Sequence, residues 1–242
     1  MANYRDIKGF KIANFESDPV ENVASWSAGG NLNTARRALA GGGTQTAGLA
    51  FGGYDTNLTG KTEEYNGSSW AEDGDLNTAR AALAGCGVIP AALAFGGGTT
   101  TTEAVAEEYN GSSWTETGDL SNARDQLAGA GTQTAALAFG GAGVTASTEE
   151  FGGSSWTAGG NLNTARRYLA GFGLQTAAIG AGGAEPTISA KVEQYNGSSW
   201  TEVGDLNQAR RELSGSGTTT AGIVFAGGPP AYALTEQWNG SS

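Results

Sequence analysis

Apolar residues in this chain come in short runs bounded by glycine. After Arg124, a run from Asp125 to Thr132 is followed by a second from Ala135 to Phe139, closed by Gly140 and Gly141. Each run has the length of a strand and is too short for an ordinary helix, so the pattern predicts two strands, a and b. A segment of variable sequence follows, then Thr148 to Phe151 as strand c. Strand d is predicted from the serine before Trp156 to the Gly-Asn-Leu beyond it. In most units strands c and d are separated by Asn-Gly, as at Asn66-Gly67, Asn110-Gly111 and Asn196-Gly197. That pair tolerates the positive φ angles of a two-residue hairpin turn.

This four-strand unit repeats along the chain. A segment led by Arg36 recurs at Arg80, Arg124, Arg166 and Arg210, and tryptophans recur at Trp26, Trp70, Trp114, Trp156 and Trp200. A fixed period of about 44 residues marks an array of units that each need a neighbour to bury their faces. Five units of four antiparallel strands predict an all-β, five-bladed β-propeller over residues 21–242. Residues 1–20 are left as an N-terminal extension or tether.

The phase of the repeat predicts how the ring closes. The pattern begins at strand d, Val23 to Gly29 around Trp26, while the last unit supplies strands a, b and c up to Trp238. An N-terminal strand d is therefore expected to complete the last blade and hide two sheet edges. Trp238 falls in the slot of Tyr65, Tyr109, Phe151 and Tyr195, so it is a strand c aromatic.

Strand a reads Arg-x-x-Leu-Ala-Gly-x-Gly, with Ser214 replacing alanine in the last copy. Five inner strands crowded around one axis call for small side chains. Leu39, Leu83, Leu127, Leu169 and Leu213 are expected as plugs between blades. Phe51, Phe95, Phe139 and Phe225 repeat on strand b, with Ala181 as the exception. The repeat arginines Arg36, Arg80, Arg124, Arg166 and Arg210, with the five strand d tryptophans, are assigned a structural role between blades. A five-donor guanidinium suits carbonyls or a carboxylate across such an interface.

Composition narrows the function. With 242 residues, 41 of them glycine, and a net charge of −11, the chain is large enough for a core and poorly suited to phosphate backbones or anionic membranes. Nucleic acid and membrane insertion are not expected as partners. The N-terminal MANYRDIKGFKIANFESDP has no apolar run of signal-peptide type, and one cysteine, Cys86, excludes an internal disulfide framework.

Arginine, a diglycine after an apolar strand, then Tyr-Asn-Gly and tryptophan together resemble the kelch repeat of kelch-type propellers, in a version shorter than the usual ~50 residues. The near-identical LNTAR, GTQTAALAFGG and EEYNGSSW blocks are similar to the kelch-like repeat proteins of tailed bacteriophages, as is the opening MANYRDIKGFKI with Asp18-Pro19. The resemblance implies a propeller in a viral setting, placed in the virion or the host cytoplasm. The partners it implies are a glycan or host-surface protein, or other virion proteins.

Histidine is absent, which removes Ser-His-Asp catalysis, histidine bases and histidine-bearing metal sites, including copper chemistry of the galactose-oxidase kind. No cofactor and no metal are expected. Cys86 occupies a slot on strand a held elsewhere by Gly42, Ala130, Phe172 and Ser216, read as channel-lining, and is expected to be a small packed thiol. Gly41-Gly42-Gly43 lacks the Lys-Ser/Thr pair and helix of a phosphate loop. Glu63-Glu64, Glu107-Glu108 and Glu149-Glu150 are adjacent on a strand and point to opposite faces, so they do not make catalytic dyads. One of each pair is expected to meet a repeat arginine and the other to be solvated. Asp75, Asp119 and Asp205 read as turn residues.

Variation between units is concentrated in two places, the bc segments and the residues just after each repeat arginine. Antiparallel order puts both on one face, near the channel mouth. The ligand-binding candidates are therefore Arg37, Asp125, Gln126, Arg167, Tyr168, Arg211 and Glu212. The expected function is a non-enzymatic binding module. A virion component tethered by its N-terminus and a glycan-active enzyme using the mouth carboxylates Asp125 and Glu212 are the alternatives.

Overall fold

The structure, a computed structural model, describes residues 28–143 and 145–240. It is a five-bladed, all-β propeller, with no helix among the described residues. Blade 1 is β1 (Ala40–Thr44), β2 (Ala47–Phe51), β3 (Thr62–Tyr65) and β4 (Trp70–Asp73). Blade 2 is β5 (Ala84–Val88), β6 (Ala91–Phe95), β7 (Ala106–Tyr109) and β8 (Trp114–Glu116). Blade 3 is β9 (Ala128–Thr132), β10 (Ala135–Phe139), β11 (Thr148–Phe151) and β12 (Trp156–Ala158). Blade 4 has β13 (Ala170–Leu174), β14 (Ala177–Ala181), β17 (Val192–Tyr195) and β18 (Trp200–Glu202). A small hairpin, β15 (Ala184–Glu185) with β16 (Thr187–Ile188), sits in its bc segment. Blade 5 contributes β19 (Ser214–Gly217), β20 (Gly222–Phe225) and β21 (Thr235–Trp238) among the described residues. Each blade pairs in chain order, all antiparallel. Residues 23–27 of the expected closing strand, Trp26 among them, lie outside the described residues, as do residues 1–20.

The outer strands hold the blades to each other. Trp114 stacks on Phe51 of the preceding blade with centroids 4.8 Å apart, Trp156 on Phe95 at 4.9 Å, and Trp200 on Phe139 at 4.7 Å. The same phenylalanines reach forward over the next blade's inner strand. A Cβ at Gly85, Gly129 or Gly171 would lie 2.4–2.8 Å from the Cζ of Phe51, Phe95 or Phe139. Glycine is therefore needed there for close approach of neighbouring sheets.

Three local readings change. The inner strand of blade 3 starts at Ala128 rather than Asp125, because Gln126 takes a left-handed φ of 57° and breaks the run. The Asn-Gly turns are four-residue loops: Tyr65 pairs with Trp70, and Asn66 Oδ1 accepts from the amides of Ser68 and Ser69, with only Gly67 left-handed. The Cys86 slot faces the next blade instead of the channel. Its thiol contacts the Thr132 carbonyl at 3.4 Å, and a Cβ on Gly42 would meet Gly87 O at 2.7 Å. An innermost strand turns its open edge to the axis, so its alternating side chains point at the two neighbouring blades.

Four of the five blade junctions are alike. β1 packs on β5, β5 on β9, β9 on β13 and β13 on β19, whereas β1 and β19 are both largely exposed. At the four equivalent junctions a glycine, Gly52, Gly96, Gly140 or Gly182, lies where a Cβ would come within 2.5–2.8 Å of the next blade's arginine carbonyl. Blade 5 has Ala226 at that place, left-handed and exposed. The junction between blades 5 and 1 is thus built differently on its inner side.

Candidate functional site

The repeat arginines set the frame of the site. Each sits in the connection entering a blade and pairs with the first glutamate of that blade's third strand: Arg36 with Glu63 at 2.9 Å, Arg124 with Glu149 at 2.7 Å, Arg166 with Glu193 at 2.9 Å and Arg210 with Glu236 at 2.8 Å. Arg80 and Glu107 form the same pair. The guanidinium also donates to the backbone carbonyl just after the second strand, through Nε in Arg80 (Gly96 O, 2.8 Å) and through Nη1 in Arg166 (Gly182 O, 2.7 Å), and the second Glu107 oxygen accepts from the Asn77 amide at 2.7 Å. Removing the ions from water is costly, and these extra hydrogen bonds offset the cost. For Arg124 and Arg166, burial lowers the guanidinium pKa and the paired glutamate opposes the shift.

The guanidinium stays within the blade its connection enters, contrary to a role across the interface. The backbone carbonyl is what crosses: Gly53 donates to Arg80 O, Gly97 to Arg124 O, Gly141 to Arg166 O and Gly183 to Arg210 O. The second glutamate is not simply solvated either. Glu64 accepts from Tyr109 of the next blade at 2.8 Å, and Glu150 from Tyr195 at 2.5 Å.

With the arginine anchored, the next two residues are delivered to the axis. Arg37 and Tyr54 exchange both backbone hydrogen bonds, and so do Ala81 with Gly98, Arg167 with Ala184 and Arg211 with Gly228. These bridges tie the connection after each arginine to the start of its bc segment, so both variable regions lie on one face. The following residue is left-handed in every blade: Ala38 and Ala82 have φ 53°, and Gln126, Tyr168 and Glu212 have φ 57°. Their main chains are arranged in a ring around the axis, joined in a row from Ala38 to Glu212 by four hydrogen bonds. Ala82 donates to Ala38 O, Gln126 to Ala82 O, Tyr168 to Gln126 O and Glu212 to Tyr168 O, at 2.8–2.9 Å.

Inside this ring lies a cavity of about 760 Å³. The five repeat leucines line its base, and Arg37, Tyr54, Gln126, Tyr168 and Glu212 give it polar and aromatic character. Tyr168 carries two guanidinium groups over its ring, Arg167 at 5.4 Å and Arg211 at 5.5 Å, while Arg37 lies over Tyr54 at 5.1 Å. Cation–π pairing holds these long side chains in place at the mouth.

Of the seven candidates read from the sequence, Arg37, Gln126, Tyr168 and Glu212 line the cavity, and Arg167 and Arg211 reach it through Tyr168. Asp125 stands beside it, where its Oδ2 accepts from Gln126 Nε2 at 3.2 Å and its buried Oδ1 has no partner. Tyr54 and the left-handed ring were missed. Their sequence signal was the position two residues after each arginine, which is glycine in none of the five copies of a glycine-rich repeat.

Two groups belong to the scaffold. Burial pushes the Cys86 thiol up to about 12, which keeps it protonated and unreactive near neutrality. Asp75 and Asp119 accept from the amides of Thr62 and Ala106, as turn residues do. Among the described residues no group of three or more His, Cys, Asp or Glu is placed to hold a metal ion, and no helix is long and apolar enough to cross a membrane. No family model and no curated protein matches the chain.

Proposed function

We propose that this protein is a non-enzymatic binding module that takes a glycan or a host-surface protein at its axial mouth, on a kelch-like propeller encoded by a phage. The propeller fold suits a binding role, since it presents varied loops on a repeated frame. One observation carries the reading. Among the described residues every left-handed position is glycine except Ala226 and the five ring residues at the mouth. A non-glycine residue there costs about 1–2 kcal/mol in backbone strain, and such strain concentrates at functional sites. Glycine would relieve it but would remove the side chains of Gln126, Tyr168 and Glu212 from the cavity.

Arrays of glycans and of host-envelope proteins, probed with the full chain and with Tyr168→Ala and Arg37→Ala, test the reading. Alanine is already accepted at the ring in Ala38 and Ala82, so Tyr168→Ala is expected to fold. The expected result is a bound class whose affinity falls at least tenfold in Tyr168→Ala. A bound class indifferent to both substitutions, or no binding by the folded chain, rejects the mouth as the site.

A further inference from the structure

The axial mouth is unequally charged. At the position just after the repeat arginine, blades 4, 5 and 1 carry Arg167, Arg211 and Arg37, while blades 2 and 3 carry Ala81 and Asp125. Blades 4, 5 and 1 are neighbours in the ring, so the three guanidinium groups form one arc, held against Tyr168 and Tyr54. Asp125 stands apart from it, with its Oδ2 3.4 Å from where a Cβ on Gly98 of blade 2 would be.

Two of these arginines are unpaired in a chain with carboxylates to spare. The net charge is −11, yet Arg37 and Arg167 have no carboxylate partner among the described residues, where every other lysine and arginine has one. Arg167 Nη1 makes a long contact of 3.4 Å to Gln126 Oε1. Arg211 Nε lies 3.4 Å from a Glu212 oxygen without forming a hydrogen bond, and both side chains are partly exposed. Exposed ion pairs of this kind are weak.

The backbone adds a donor at the same place. The row of ring hydrogen bonds ends at the junction of blades 5 and 1, with Arg211 on one side and Arg37 on the other. There the Ala38 amide, unlike the other four ring amides, donates to no ring carbonyl among the described residues. A guanidinium is a planar fork of donors that matches the oxygens of a carboxylate, phosphate or sulfate in pairs. The cavity of about 760 Å³ has the size of a small-ligand site. The acidic surface around it repels an extended polyanion and leaves a discrete acid group as the fitting guest. We propose that the mouth takes an acidic glycan, whose carboxylate, phosphate or sulfate sits on the arc of Arg37, Arg211 and Arg167. This selectivity rests on the mouth being the binding site, as proposed above, and names the class of glycan taken there. Of the residues lining the cavity only Glu212 is a carboxylate, so it opposes the incoming acid group.

The test is an array of matched oligosaccharides, each in a neutral form and in carboxylated, sulfated and phosphorylated forms, with Asp- and Glu-rich peptides spotted beside them. It is probed with the full chain and with Arg37→Ala, Glu212→Gln and Lys61→Ala. Ala81 and Gln126 show that the repeat accepts alanine and glutamine at the first two positions. Lys61→Ala is the charge control, since it removes a cation paired with Glu72 on the outer strand β4. The expected result is binding confined to acidic glycans, at least tenfold weaker in Arg37→Ala, at least threefold tighter in Glu212→Gln and unchanged in Lys61→Ala. The acid form that binds identifies the group. Equal binding of neutral and acidic forms, falling in Tyr168→Ala, keeps the mouth as the site and overturns the acidic class. Acidic binding unmoved by Arg37→Ala and Glu212→Gln overturns the arc as its receptor. Binding of the peptides in place of every glycan overturns the glycan, and no binding by the folded chain overturns both this proposal and the mouth as the site.

Discussion

Phe172, on the inner strand of blade 4, compensates for Ala181 on the strand beside it. Blades 1 to 3 send a phenylalanine from their second strand over the next blade's glycine, but blade 4 has Ala181 there, almost fully buried. Phe172 fills the space from the neighbouring strand, its Cδ1 2.7 Å from where a Cβ on Gly215 would be. Gly222, where blades 2 to 4 have Ala92, Ala136 and Ala178, leaves room for the ring, which would stand 2.5 Å from a Cβ at that site. Phe172→Ala is expected to cost about 3–5 kcal/mol, the range for emptying a buried aromatic site. Adding Ala181→Phe should recover at least half of the loss. A double-mutant cycle in urea decides it, and full additivity of the two substitutions would show that the rings do not share one space.

Trp156 shows the opposite case, a repeat position left uncompensated. Trp114 Nε1 donates to Thr62 Oγ1 at 2.9 Å and Trp200 Nε1 to Thr148 Oγ1 at 3.0 Å. At Trp156 the facing residue is Ala106, and the indole N–H is buried without a partner. Ala106→Thr places a hydroxyl where two sister blades already hold one, and is expected to stabilise by about 1 kcal/mol. Ala106→Val, with similar bulk and no hydroxyl, should not. Equal gains in urea midpoint from both variants would assign the effect to volume instead of the hydrogen bond.

Sequence reading succeeded where one residue type has one use and failed where geometry chooses between uses. Strand number, blade number and the core leucines follow from the spacing of short apolar runs, because a strand of this length buries its face only against a neighbouring unit. The direction of the Cys86 slot could not be read in the same way, since alternation along a strand says which residues share a side and not what lies on it. The repeat arginines posed a similar problem: their partner glutamates were legible as a class, but whether the pair crosses a junction depends on a rotamer. At the mouth, the clustering of Arg37, Gln126, Tyr168 and Glu212 followed from antiparallel order. Their left-handed backbone did not, because alanine, glutamine, tyrosine and glutamate all argue against it locally.

The strain assigned to the ring can be measured at Ala82, which adds almost no side chain to the cavity. At an ordinary buried strand position such as Ala138, glycine is expected to cost about 1 kcal/mol or more through lost packing and added freedom of the unfolded chain. At Ala82 the same entropic cost is opposed by release of about 1–2 kcal/mol of left-handed strain. Ala82→Gly should therefore be neutral to about 1 kcal/mol stabilising. A loss above 1 kcal/mol in urea denaturation would mean that the ring residues are not strained, and the argument from strain to a binding mouth would fall with it.

Alkaline pH should open particular junctions first. Tyr109 is raised above the usual tyrosine range and Tyr195 to about 12, in both cases first by burial and then by the hydrogen bond to Glu64 or Glu150. A tyrosine whose folded pKa lies above its unfolded value of about 10 contributes stability that is intact below pH 10 and is lost as pH rises toward the folded value. For Tyr195 that window is about pH 10 to 12. Above it, an ionised hydroxyl would face a carboxylate across the junction of blades 3 and 4, and Tyr109 does the same between blades 1 and 2. The junction of blades 2 and 3 has Phe151 in this slot and carries no such liability. Tyr195→Phe gives up a hydrogen bond worth about 1 kcal/mol at neutral pH but should move the alkaline midpoint of unfolding upward. A midpoint unmoved in Tyr195→Phe and in Tyr109→Phe, followed by circular dichroism, would place the alkaline transition elsewhere in the propeller.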